Sequence, residues 1–189
     1  MRIPITDYAP AVTFANALVS TSPTVRLTGD ALPTPQALQT LLTTHNLATP
    51  PPTPDDLFNT HLLRREVRGI IETETEEQAV AGATVLIKRA GLAPLLDRDA
   101  TGRWQWYVPT TPNAPLADEL AAFIATGLFG AIRALGHGRF RPCAAPDCRG
   151  VFIDISKAGR RRYCMPDLCG NRQNVANHRA RHQEESTPR

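Results

Sequence analysis

All four cysteines of this 189-residue chain lie between positions 143 and 169, in "CAAPDC" (143–148) and "YCMPDLCGNR" (163–172). Four residues separate the members of each pair, and fifteen lie between the pairs. Two short loops of this kind can each deliver two sulfurs to one ion, and thiolates are the usual ligands of structural zinc. Cys143, Cys148, Cys164 and Cys169 are therefore expected to hold one Zn²⁺. The intervening residues are long enough for a hairpin that brings the two loops together. Four thiolates leave no open coordination position, so the metal is read as structural and not catalytic.

Energetics point the same way. A segment of this size buries too little surface to be stable alone. Its large apolar residues are few: Phe140, Val151, Phe152, Ile153, Ile155 and Tyr163. A structural zinc supplies about 10–16 kcal/mol in small finger peptides. His178 and His182 sit four apart, as ligand pairs can, but with four thiols available they read as solvent-facing helix residues.

Charge divides the chain at the same place. Residues 1–138 carry 10 basic and 13 acidic side chains, while 139–189 carry 11 basic and 5 acidic. A basic terminus on a mildly acidic body suggests a polyanion partner. The N-terminus has no apolar run of signal-peptide length, and the longest uncharged apolar stretch, 120–132, is too short to span a bilayer. A soluble cytoplasmic protein is expected, where clustered thiols serve as metal ligands more often than as disulfides.

The body reads as mainly helical. "APAVTFANALVS" (9–20) predicts a helix. Thr34 and Pro35 give the cap and first turn of a second, with Leu38, Leu41 and Leu42 at helical spacing. "TPPPTP" (49–54) breaks the chain, and Thr53, Pro54 and Asp56 restart a helix to about Ile71. Thr75 and Gln78 form a capping box for a helix near 76–90. "LAPLLDRDATGRWQWYVP" predicts a β-hairpin about "DRDATG". Leu116, Leu120, Phe123, Ile124, Leu128, Ile132 and Leu135 form one apolar face of a helix from about Ala114 to Leu135, ended by "GHG" at 136–138. The expected class is α+β. A helical domain with a β-hairpin (1–138) precedes a four-Cys finger ending in a helix (139–183) and a disordered tail (184–189).

The finger carries a resemblance. "CAAPDC…FIDISKAGRRRYCMPDLCGNRQNVANHRAR" resembles the CGNR zinc finger, a C-terminal module of bacterial proteins, in its Cys spacing, its Arg run and its Cys-Gly-Asn-Arg signature. "AVTFANAL" and "LTGDALPTPQALQTLL" resemble the ABATE domain that precedes this finger. Proteins of this kind are described as stress-induced transcription regulators, which implies DNA binding through the finger. Thr13 stands where the resemblance leads one to expect an acidic residue.

Within the signature, Gly170 suits a positive φ that turns backbone N–H groups toward a thiolate, and Asn171 suits the N-cap of a helix from Arg172 to about His182. Arg172 either offsets the charge of the tetrathiolate centre or reaches a phosphate. Asn174, Asn177, His178 and Arg181 share a polar side of that helix, either reading base edges or simply solvated. Arg160, Arg161 and Arg162 form a cationic cluster, expected on a turn between strands. With Arg139, Arg141, Arg149 and Lys157 nearby, it suits phosphate oxygens. An acidic protein partner would meet the same charges. RNA is favoured less, because the segment's aromatics are expected in its core.

Nothing in the body suggests an enzyme: there is no Gly-rich phosphate loop and no nucleophile elbow. Trp104 and Trp106 fall on one face of the second hairpin strand, where they either pack on the core or wall a small-molecule effector pocket. The helix 114–135 is also long enough to dimerise, and a homodimer would compensate for the weak binding of a lone finger.

Overall fold

The structure, a computed structural model, describes residues 1–26 and 28–171. Helix α1 (Ala9–Ser20) is followed by α2 (Pro35–Thr44), α3 (Pro54–Ile71) and α4 (Glu76–Ile87). Their starts are set by local chemistry. The Thr34 hydroxyl accepts the Ala37 N–H, and Thr53 with Asp56 and Thr75 with Gln78 close reciprocal capping boxes. Helix α5 (Leu116–Leu135) runs through the middle, packed against α4, α1 and α3. It stops at Gly136, whose φ of 78° ends the helix. It crosses α1 at Gly127, where a Cβ would lie 2.5 Å from that of Ala11. No helix among the described residues is long and apolar enough to cross a membrane.

Three antiparallel strands form one sheet in the order β1–β3–β2, with β1 at Arg2–Pro4, β2 at Leu95–Arg98 and β3 at Trp104–Pro109. The expected hairpin is β2–β3, turning through Asp99–Arg103. Alternation does place Trp104 and Trp106 on one face with Val108. Val108 is buried, but the indoles are 60% and 50% exposed, so neither packs in the core. Arg98, opposite Trp104 in the register, lies over its ring at 4.4 Å.

The protein is α+β, and a second, two-stranded antiparallel sheet pairs β4 (Phe140–Pro142) with β5 (Val151–Ile153). This hairpin straddles the first cysteine loop, where a hairpin between the two cysteine pairs was expected. Residues 139–143 and 150–154 face each other, so closing the Cys143–Cys148 loop and pairing the strands are one event. Arg160–Arg162 follow β5, and no strand comes after them among the described residues.

Strand β5 is buried on both faces. Val151 and Ile153, with Phe140 of β4, join the main core alongside residues of α1 to α5. Phe152, pointing the other way, packs with Val25, Cys143, Cys164 and Cys169. The edge of β5 that β4 leaves free is closed by Asn16 of α1. Its amide donates to the Ile153 carbonyl at 2.9 Å and accepts the Ile153 N–H at 2.8 Å, all buried.

Replacing Asn16 with Ala leaves two buried backbone groups unpaired, at about 1–3 kcal/mol each. Asn16→Ala is expected to lower the thermal midpoint by roughly 5–15 °C without loss of secondary structure at low temperature. Circular dichroism melts check this. An unchanged midpoint would show that Asn16 does not hold β5.

Candidate metal centre

The first cysteine loop is closed by Cys143 N–H to the Gly150 carbonyl at 2.8 Å, with Cys148 N–H to the Ala145 carbonyl at 3.0 Å inside it. The second winds through a π-helical turn at Pro166–Gly170, in which Cys169 N–H reaches the Met165 carbonyl at 2.8 Å. Ala144 N–H donates to the Arg162 carbonyl at 2.8 Å and ties the two loops together.

The four sulfurs converge. All lie within 4.8 Å of one another. Three pairs are separated by 3.5 Å (Cys148–Cys164), 3.8 Å (Cys164–Cys169) and 3.7 Å (Cys148–Cys169). A tetrahedron with Zn–S bonds of about 2.3 Å has an edge of about 3.8 Å. The donor set and its spacing therefore fit one zinc ion, held by Cys143, Cys148, Cys164 and Cys169. Backbone amides already face two of the sulfurs: Gly150 N–H points at Cys148 Sγ at 3.3 Å, and Cys164 N–H at Cys143 Sγ at 3.4 Å.

Electrostatics explain why a cation is required. Burial pushes the Cys148 and Cys164 thiols up. Burial opposes ionisation of Cys143 as well, but the N–H groups of Ala145 and Cys164 outweigh it and bring that thiol down. Four converging thiolates, three of them buried, would be prohibitive without a counter-charge, and a dication removes the conflict.

Gly150 is the residue this geometry cannot do without. A Cβ there would lie 2.4 Å from Cys164 Sγ and 3.1 Å from Cys148 Sγ. The sequence signature drew attention to Gly170 instead. That glycine is not among the positive-φ residues, and a Cβ on it would make only an ordinary 3.4 Å contact with Tyr163. Asn171 likewise does not adopt N-cap geometry. Its backbone is already helical (φ −63°, ψ −42°), continuing the π turn, and its side-chain amide donates to the Asp167 carbonyl at 2.7 Å.

The arginines divide by partner. Asp154 is fully buried at the end of β5. Its carboxylate accepts Ser156 N–H at 2.9 Å, Ser156 O–H at 2.6 Å and Arg161 N–H at 3.0 Å, and it faces Arg141 at 3.3 Å and Arg139 at 3.8 Å. Burial alone would raise its pKa. The Ser156 hydroxyl and the Ser156 and Arg161 amides reverse that and hold it below the ordinary carboxylate value. Arg139 and Arg141 also donate to carbonyls of Ser156, Gly138 and Gly159. Arg161 turns inward: it donates to the carbonyls of Tyr163 and Cys164 and lies 4.8 Å over the Phe152 ring. Arg160 and Arg162, its neighbours on either side, are exposed, as are Arg149 and Lys157.

Of the expected nucleic-acid contacts, Arg160, Arg161 and Arg162 thus do not form a single outward cluster. Arg172, Asn174, His178 and Arg181 lie outside the described residues, as does His182. Sequence reasoning missed Asp154, Gly150 and Asn16. The Asp-x-Ser spacing of Asp154 and Ser156 was a legible signal for a side chain bonding two residues ahead. A lone Asn inside an apolar helix was another.

Gly150→Ala and Cys169→Ser should each bring bound zinc from one equivalent per chain to well below half, measured by metal analysis after dialysis. Full zinc retention by Gly150→Ala would mean the sulfurs sit farther from that backbone than described.

Two family descriptions match the chain. "CGNR zinc finger" covers residues 139–182, and "ABATE: Putative stress-induced transcription regulator" covers residues 9–128. No curated protein matches it. The second match spans more than half of the chain, which therefore belongs to the ABATE family and carries a CGNR zinc finger with four convergent cysteines behind that domain.

Proposed function

We propose that this protein is a cytoplasmic, DNA-binding transcription regulator whose zinc finger grips the phosphate backbone through its outward cations. In this reading residues 1–138 form a sensory or assembly domain, and 139–183 the DNA-binding finger. The observation that carries it is the sorting of the basic side chains. Arg139, Arg141 and Arg161 are consumed by Asp154 and by backbone carbonyls of the finger. Arg149, Lys157, Arg160 and Arg162 remain exposed around the metal centre, with no carboxylate in ion-pair contact among the described residues. Exposed guanidinium groups on a rigid frame suit phosphate oxygens, which supply affinity and position but not sequence choice. Sequence choice is assigned to Asn174, His178 and Arg181, with Arg172 on a phosphate.

The tetrathiolate site supports a structural role for the metal, since four protein ligands leave no position for a reacting water. The family's description as a regulator agrees with this reading.

Arg160→Ala with Arg162→Ala is expected to weaken DNA binding uniformly across sequences and to reduce the salt slope by about 2. Arg161→Ala, by contrast, is expected to impair folding of the finger and zinc retention. Salt-titrated gel shifts alongside metal analysis separate the two. If the Arg160/Arg162 double variant binds every sequence as tightly as the parent, with the same salt slope, the exposed cations do not meet phosphate.

A further inference from the structure

A second cationic site lies on the body, away from the zinc ligands. On α3, Arg64, Arg65 and Arg68 lie three, four and seven residues after His61, so the four share one face. That face and the hydroxyl-bearing turn Ser22–Thr24 line a cleft of about 490 Å³. Its electrostatics are set by few groups. Arg64 is buried and bound bidentately to Asp30, at 2.8 and 2.6 Å. Arg68 pairs with Glu72 at 2.6 Å and donates to the Thr24 hydroxyl at 3.3 Å. His61 Nε2 lies 3.0 Å from the Leu32 carbonyl. Arg65 is exposed and has no carboxylate partner among the described residues. The cleft therefore offers one uncompensated guanidinium, a second that is partly committed, and a pair of hydroxyls bonded to each other at 2.9 Å with one proton left to donate, within a volume suited to a small organic molecule.

The wall of this cleft continues into the metal centre. Val25 N–H and Arg26 N–H both donate to the Ser22 carbonyl, at 2.9 and 3.0 Å, so Ser22–Arg26 is one tight turn. Val25, the residue after Thr24, is buried in the same cluster as Cys143, Phe152, Cys164 and Cys169. A ligand that fixes Ser22 and Thr24 also fixes the seat of Val25 among the zinc-binding cysteines.

We propose that this cleft binds a small ligand bearing an oxyanion, of the phosphorylated-metabolite class. Arg65 and Arg68 meet the anionic group, the Ser22–Thr24 hydroxyl pair donates its one remaining proton to it, and occupancy is relayed through Val25 to the metal centre. A concave wall with hydroxyls suits a compact anion better than a duplex backbone, which needs an open convex or grooved face. The inference does not depend on what the finger binds.

The test is a titration of the full-length, zinc-loaded protein with inorganic phosphate against sodium chloride at equal ionic strength, read by amide chemical shifts. Saturable shifts are expected at Ser22, Thr24 and Val25, with a secondary response at Cys164 and Cys169. Arg65→Ala and Arg68→Ala should each raise the apparent Kd about tenfold or more. Val25→Ala should leave the Kd within about twofold while abolishing the response at Cys164 and Cys169. Three outcomes overturn the proposal. One is the absence of saturable shifts at Ser22 and Thr24 at millimolar phosphate. Another is a Kd in both arginine variants that is unchanged from the parent. The third is loss of DNA affinity in those variants with no phosphate response in the parent, which would make the face part of a nucleic-acid surface.

Discussion

Ile153 and Phe152 point to opposite faces of a three-residue strand, and neither face meets water. On one side lies the apolar core shared by helices α1 to α5; on the other lie the four cysteines, Cys148 only partly buried. The rest of the architecture follows from this double burial. Asn16 must supply the hydrogen bonds that a further strand would have supplied, and Asp154 must sit dry at the strand's end, where only several donors make a carboxylate tolerable. The metal centre is thus a layer laid against the body, with β5 as the common wall. Its order comes from two sources, the coordinated ion and the apolar side chains lent to the main core.

The same wall sorts the charges. Asp154 draws Arg139 and Arg141 toward the strand, and the carbonyls of the second cysteine loop draw Arg161. Coulomb attraction in a partly dry environment decides these assignments, because desolvating an arginine is repaid only where several acceptors are already fixed. What remains exposed is the part of the basic run that buried groups did not claim.

Legibility in the sequence followed locality. Thr34, Thr53 and Thr75 announced their helices because a cap is a bond between residues three apart, and α5 announced itself through an apolar stripe. The four zinc ligands were readable from spacing and residue type. Strand β1 was not, since three residues carry no period and its pairing partner lies about a hundred positions away. Gly150 was invisible because what forbids a side chain there is the sulfur of Cys164, delivered by the second loop. The run Arg160–Arg162 looked uniform, and only Asp154, Phe152 and the carbonyls of Tyr163 and Cys164 distinguish its middle member. The core reading of Trp104 and Trp106 failed for a related reason. Alternation fixed their face, but that face is covered only at Val108.

One zinc ion, bound by sulfur alone, completes a shell whose inner wall is the body of the protein. Zinc K-edge X-ray absorption on the purified full-length chain is the decisive measurement. About four sulfur scatterers at about 2.3 Å and no nitrogen or oxygen in the coordination shell are expected. A mixed sulfur and nitrogen shell, or a well-folded protein that is free of zinc with its thiols joined as disulfides, would contradict it.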